Sequence, residues 1–567
     1  MPQLLTLCAY LQDSRSMFVR VKKKDENKWQ VVVVESLRDG ESVSQKTVRN
    51  IGVAHCPAEV QKFREIGEAA IVAILNQRQP VLPFADPNEV YRPSRRRQPV
   101  DDNALVKNVF EESRFIEGPE DILGQVFDDI GLDNAFDKEF ASPSEWSKIF
   151  KDVVLARIAD PLSKLATSQF LEKKFGKNIP VHKIYRMLDR LADADERIKT
   201  TIAKHTTRVL GDKVDVLFFD VTTLYFESIE QDDLRRFGFS KDCKFKETQV
   251  VLALIATTDG LPVAYELFAG NTFEGHTLLP AIKNLKAKYL VSEILLVADR
   301  GMFSSDNLKN MEKVGVQYIV AAKLKSLKSV VKDSIISSLA DAKSKADDKN
   351  FSWVDDRDHE GRRLIVSYSE KRAEKDRADR KRLIDRLVKL EKSGTIATAN
   401  LIKNSGTKKY LTIKSGQAKI NYDKVERDSQ WDGLHAVITN VAREKSCPSA
   451  ILERYRGLWQ IEESFRINKS SLKMRPIYHW STRRIRAHVS LCFAAYAVLR
   501  HTQYQIKSKG LSLGVDVIRA EINSVQSSIV VDAITGKRYG IPSAMSHLAK
   551  QIYAAFSKMR DNKPFAA

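Results

Sequence analysis

The sequence predicts an α/β protein: a mixed sheet carrying a β-rich insertion, preceded by a small N-terminal sheet and a helical region. Three observations point there. A strand-rich block starting near Val214 passes from antiparallel strands to alternating strands and helices, a charged stretch of different texture interrupts it from about Leu324 to Asp432, and helical periodicity dominates Phe115 to Leu210.

The bulk numbers suit several packed domains and narrow the partners. With 567 residues, 43% hydrophobic and 29% charged, the chain can bury more than one core. The formal charge of +20 implies a polyanionic partner, nucleic acid first. Five cysteines (Cys8, Cys56, Cys243, Cys447, Cys492) lie far apart with no C-x-x-C pair, which argues against a disulfide framework or a zinc site and for a reducing cytoplasm. The opening MPQLLTLCAYLQDSRSMF is only briefly apolar and no run reaches the roughly 18 to 20 residues of a membrane helix, so neither an export signal nor a span is expected.

Residues 1–100 read as a small basic β-sheet, a helix and a linker. β-formers from Met17 to Val53 alternate with turn clusters at Lys24 to Asn27 and Arg38 to Gly40, and Pro80 to Pro99 is rich in proline and arginine. Phosphate contact and a plain solvated face are both open for the basic strands. Residues 101–212 read as helices, among them EDILGQVFDDIGL and HKIYRMLDRLADA; a DNA-binding helical domain and an ordinary small bundle both fit.

The core begins at residue 213. VDVLFFDVTTLYF is apolar on both alternating sets of positions, as in a strand covered on both faces, and TQVVLALIATTDGLPVAYELF is two apolar runs joined by Thr258-Asp259-Gly260. The helix HTLLPAIKNLKAKY, the run EILLVADRGM, the helix SSDNLKNMEKVG and the strand VQYIVAAK follow. That order matches a ribonuclease-H-like core in two parts, 213–324 and 434–506, split by an insertion over 325–433. In the insertion, strands near Phe351 to Asp355 and Arg362 to Tyr368 precede EKRAEKDRADRKRLIDRLVKLEK, whose interleaved charges read as a solvated helix. Residues 507–567 hold a short hairpin and an amphipathic helix, open to a dimerisation role or to closing the core.

Carboxylates carry the chemistry. Asp220 sits within apolar strand residues and Asp299 at the end of ILLVA, where ligand sites of α/β sheets gather. In YRGLWQIEESFRINK, residues seven apart lie about 1.94 turns apart, so Tyr455, Glu462 and Lys469 are expected on one helical ridge beside an apolar stripe of Leu458, Ile461, Phe465 and Leu472. Arg466 and Lys473 are expected on its outer flank, and Glu462 is preferred to Glu463 as the functional acid; pairing of Glu462 with Arg466 is the plainer alternative. Three convergent acids call for two magnesium or manganese ions, which would activate an attacking oxygen and stabilise the leaving one. From Arg443 to Arg486 there are eleven Lys or Arg against four acids, a basic surface bearing one selected acid.

DVTTLYFES around Asp220, VADRGM around Asp299, the Tyr455 to Lys469 pattern, and the later RPIYHW and IRAHVSLCFAAYAVLR resemble the DDE transposases of bacterial insertion sequences, in the superfamily with the tyrosine, arginine, glutamate and lysine signature. The resemblance implies a ribonuclease-H-like core, with Asp220, Asp299 and Glu462 as catalytic metal ligands and Tyr455 and Lys469 gripping DNA. It implies binding of terminal inverted repeats, strand cleavage, transfer to target DNA, and a homodimer in the synaptic complex. One departure is Leu458, where the signature has arginine; Arg456 or Arg466 is the substitute to consider. Trp353 and Trp431 are candidates to stack a flipped base, or are ordinary packed tryptophans. Asn271 and His276 read first as turn and helix-start residues. Two other functions stay open: a metal-dependent nuclease or domesticated relative without strand transfer, and a non-catalytic repressor.

Overall fold

The computed structural model describes residues 16–25, 28–39, 42–78, 108–136, 144–211, 216–226, 230–238, 247–272, 277, 280–281, 295–298, 305–345, 351–392, 409–414 and 417–567. The Pro80 to Pro99 linker, most of the HTLLPAIKNLKAKY helix, His276 and Asp299 lie outside them. The chain divides into two compact units: Met1–Leu296, Ser304–Met311 and Gly457–Ala567 form the first, Val297–Phe303 and Glu312–Arg456 the second.

In the first unit β1 (Ser16–Asp25), β2 (Lys28–Asp39) and β3 (Ser42–Ala54) form an antiparallel meander. Val31 to Val34 in the middle strand are each at most 4% exposed, so both faces of the sheet centre are covered. The helix Pro57–Arg78 packs on this sheet.

The spine of the unit is the helix Thr482–Ser508, buried at every residue from Ala487 to Thr502. Being enclosed all round marks it as a core helix rather than an amphipathic surface one. Against it pack Val181–Val209 and Glu145–Ala159. Ser144 caps the second of these by accepting from the Ser147 amide, and Ser163 caps Lys164–Phe175 likewise at Ala166.

A strand the sequence reading missed opens this helical region. β4 (Val109–Ile116) pairs antiparallel with a strand of the C-terminal segment. Its sequence VFEESRFI mixes charged and apolar residues without clean alternation, because it is an edge strand defined by a partner far along the chain.

β5 (Val216–Tyr225), β6 (Gln249–Thr257) and β7 (Pro262–Ala269) form an antiparallel meander, with Asp220 opposite Leu254. β6 is buried at every residue. The first two residues of β8 (Leu295–Ala298) complete this unit's order, β8-β5-β6-β7.

The second unit orders its strands β10-β11-β14-β9, where β9 is Gln317–Ala321, β10 Ser352–His359, β11 Arg362–Ser369 and β14 Leu434–Thr439. These pairings are antiparallel. A core of Leu324, Ile335, Leu339, Leu364, Val366 and Tyr368 sits under the sheet. A small hairpin, β12 (Leu411–Lys414) and β13 (Gln417–Ile420), closes a second cluster with Leu387 and Tyr410. The charged helix spans Glu370–Lys392; it is mostly solvated, but Ala373 and Leu387 are buried and Arg380 pairs with Asp432.

The C-terminal segment of the first unit supplies β15 (Gln526–Asp532), β16 (Arg538–Pro542) and β17 (Phe565–Ala566), giving the order β17-β16-β15-β4. The helix His547–Ala555 buries Ala549, Ile552 and Tyr553 within its own chain. Tyr553 donates to Asp121 at 2.8 Å and Arg560 to Glu117 at 2.6 Å. Among the described residues no helix is long and apolar enough to cross a membrane.

Candidate active site

Asp220 lies in the middle of β5, half-buried between the buried pairs Phe218-Phe219 and Val221-Thr222. Its Oδ1 accepts from the Val221 amide at 2.7 Å, which fixes the carboxylate against its own strand. The helix Trp459–Arg466 packs on β5 and β6. It docks through Leu458, Ile461 and Phe465, with Leu472 beyond its end, all buried as the apolar stripe requires. Glu462 is exposed on this helix.

Glu463, not Glu462, takes Arg466: the guanidinium donates to both carboxylate oxygens, at 2.8 and 2.6 Å. That pairing holds the Glu463 carboxyl below its ordinary range and the Arg466 guanidinium above its own. The Glu462 carboxylate has no hydrogen bond or ion pair to another described residue. Arg466 is exposed and thus already engaged, with Asp516 at 3.8 Å as a second acid.

The single uniform helix expected from Tyr455 to Lys469 is interrupted. One helix ends at Arg456, Gly457 and Leu458 make a turn, and the next begins at Trp459 with Gln460 and Ile461 bonding three residues back. After Arg466 the coil widens into a π segment, Ile467–Ser471, closed by the Leu472 amide on the Ile467 carbonyl at 2.8 Å. Spacing by 3.6 therefore fails on both sides of Glu462. Lys469 falls in the π segment, half-buried. Lys473 lies past the helix with φ 45° and exposed, its carbonyl accepting from Arg157 at 2.7 Å.

In the second unit, Tyr455 is half-buried with its ring 5.0 Å from that of His435. Trp353 and Trp431 are partly buried against the hydrophobic cluster there.

The sequence reading also missed a buried polar strut. The Tyr496 hydroxyl lies 2.6 Å from Ser464 Oγ and 2.9 Å from the Gly260 carbonyl, while Ser464 donates to the Gln460 carbonyl at 2.7 Å. Arg500 donates to the Gly260 and Asp259 carbonyls at 2.9 and 2.7 Å. The Glu462 helix is thereby tied to the β6-β7 turn and to the spine helix. Its available signals were the Asp-Gly turn and the isolated Arg500 in an apolar helix.

A family model described as "Transposase DDE domain" matches residues 212–498, just over half of the chain. None of the curated proteins matches it. The matched span begins just ahead of β5 and ends within the spine helix, taking in both units and each of the three acids singled out from the sequence, and the chain belongs to the DDE transposase family.

Proposed function

We propose that this protein is a transposase that binds the inverted repeats at the ends of its element, cuts there, and joins the freed 3′-hydroxyl to target DNA. The observation that carries the reading is Glu462. It is exposed, unengaged among the described residues, and borne by a helix packed on the strand of Asp220, while its neighbour Glu463 is neutralised by Arg466. A surface acid kept out of the available ion pair suits a ligand role better than a structural one.

Asp220, Asp299 and Glu462 are the catalytic acids of this reading. A half-buried strand carboxylate and an exposed helix carboxylate are hard oxygen donors that fit magnesium or manganese, the kind of divalent cation the family uses. Two such ions, when bound, supply activation of the attacking oxygen and stabilisation of the leaving one. The protein's own share is to hold the acids: β5 fixes Asp220, and the Ser464, Tyr496 and Arg500 strut fixes the helix of Glu462. Tyr455, Lys469, Lys473 and Arg466 are proposed to contact the DNA backbone, and Trp353 to meet an unpaired base. Arg466 would exchange its Glu463 partner for phosphate.

The core over 213–324 and 434–506 is proposed to be ribonuclease-H-like, with 325–433 its insertion. Residues 1–100 and 101–212 are proposed to add DNA contacts. Holding two ends requires a dimer in the synaptic complex, working on DNA in the cytoplasm.

The test uses duplexes carrying the repeats that flank the gene. Asp220→Ala, Asp299→Ala and Glu462→Gln each abolish cleavage in magnesium while end binding persists. Cleavage at wild-type rate by any of them removes that residue from the site. Joining of a precut end to a plasmid separates a transposase from a simple nuclease.

A further inference from the structure

We propose that the first unit holds a binding site for a small inorganic anion, chloride or phosphate, where Lys164 and Arg157 meet beside the spine helix. The site does not depend on the transposase reading. Both side chains are enclosed, Lys164 6% and Arg157 5% exposed, and among the described residues neither makes an ion pair. Arg157 uses its two terminal nitrogens on carbonyls, donating to Leu162 at 3.0 Å and to Lys473 at 2.7 Å, and its buried Nε hydrogen meets no acceptor of the protein. Leu162 stands directly before Ser163, the cap of the helix that Lys164 opens, so the guanidinium lies against that helix start. Lys164 donates once, to His488 Nδ1 at 3.4 Å, which leaves two hydrogens of its ammonium form unused.

What faces these cations is basic or neutral. His488 donates from Nε2 to the Met474 carbonyl at 3.0 Å, since a carbonyl only accepts, and so presents Nδ1 to Lys164 as an acceptor. The His479 ring, 5.3 Å from that of His488, and the Cys492 sulfur, 3.8 Å from His488 Nε2, stand beside it. Burial, then Lys164, lowers both imidazoles below their ordinary range. The acid that reaches His479, Asp189, is already held through both oxygens by Arg484, at 2.8 and 2.9 Å. Two buried like charges without a counter-charge leave a folded chain two remedies: the lysine gives up its proton, or an anion enters. Burial, then Arg157, lowers Lys164 to about 7, so near neutral pH the two are closely balanced. The orphaned Arg157 hydrogen tips the balance to the anion, because deprotonating Lys164 does nothing for it. The positive end of the Lys164–Phe175 helix adds to the same field. Enclosure selects a small ion over a DNA strand. Arg157 and His488 also hold the Lys473 and Met474 carbonyls, so the ion braces the segment that follows the π segment.

The test is thermal melting of the full chain at pH 7 in sodium gluconate, with sodium chloride or sodium sulfate replacing it at equal ionic strength; sulfate stands in for phosphate with a charge that stays fixed over the pH range used. At a hundredfold excess over its dissociation constant, a bound anion raises the wild-type melting temperature by about 2–3 °C, the mass-action gain spread over a chain of this size. Lys164→Met, which melts above wild type in gluconate, gains nothing, so the gap between the two narrows. A response to chloride or to sulfate supports the site and names its preferred ion. Because the anion pairs with the ammonium form, the apparent affinity of wild type falls by about tenfold per pH unit from 7 to 9. That arm needs no variant and decides the matter should Lys164→Met misfold. No gain from either anion, an equal gain in Lys164→Met, or an affinity that stays flat from pH 7 to 9 overturns the inference.

Discussion

Gly260→Ala tests the strut that anchors the Glu462 helix. Gly260 has φ +73°, and a Cβ there would stand 1.8 Å from Arg500 Nη2 and 3.1 Å from Gln460 Oε1. The left-handed backbone alone makes alanine unfavourable by about 1–2 kcal/mol. Relieving the overlap moves the buried guanidinium off the Asp259 carbonyl, and a charged hydrogen bond is worth about 1.5–3 kcal/mol. The sum, roughly 2.5–5 kcal/mol, is a large part of the about 5–15 kcal/mol that holds a typical domain. Urea unfolding followed by circular dichroism reads it. In an Arg500→Met background the overlap is gone and only the backbone contribution of about 1–2 kcal/mol remains, so the two changes are strongly non-additive. A Gly260→Ala protein within 1 kcal/mol of wild type, or an equal loss in both backgrounds, refutes the reasoning.

Three further outcomes are expected. Glu463→Gln, which breaks only an outward-facing pair worth about 0.2–1 kcal/mol, keeps cleavage within a few-fold of wild type, whereas Glu462→Gln abolishes it; the same gel assay reads both. Acid weakens the fold through its buried histidines. Burial, then Arg208, lowers His205 to about 4, and burial, then Lys164, lowers His479 to about 4. Between pH 6.5 and 4 the unfolded chain therefore takes up protons that the folded one refuses, stability falls, and His205→Gln flattens that fall in melting temperature. Lys164 behaves as the basic counterpart: burial, then Arg157, lowers it to about 7 from 10.5. The unfolded state binds the extra proton between those values, so wild-type stability gains as pH rises from 7 to 10.5. Lys164→Met melts higher than wild type at pH 7 and loses that advantage by pH 10.

The sequence exposed the parts of this fold whose residues state their own environment. The apolar runs of β5 to β7, the Asp-Gly turn, the insertion strands and the charged helix are all where patterning puts them, because each is defined by nearby residues. The apolar stripe of Leu458, Ile461, Phe465 and Leu472 was legible for the same reason. What depended on distant partners was not. β4 is a strand only because β15 pairs with it, and the helical-wheel ridge through Glu462 assumed one uniform coil where Gly457 and a π segment intervene. The preference of Arg466 for Glu463 was equally hidden: both acids are within reach in sequence, and rotamers on a packed helix decide between them.

The pairing of β4 with β15 has a temporal side. Residues 109–116 leave the ribosome some 400 residues before residues 526–532. At about 5–20 residues per second, that edge of backbone waits roughly 20 to 80 seconds for its partner. The spine helix arrives almost as late, so the nascent helices that will surround it have nothing to close upon. Translation itself is thereby a timer: the acids of β5 and of the Trp459–Arg466 helix are held in a finished scaffold only once nearly the whole polypeptide has been made.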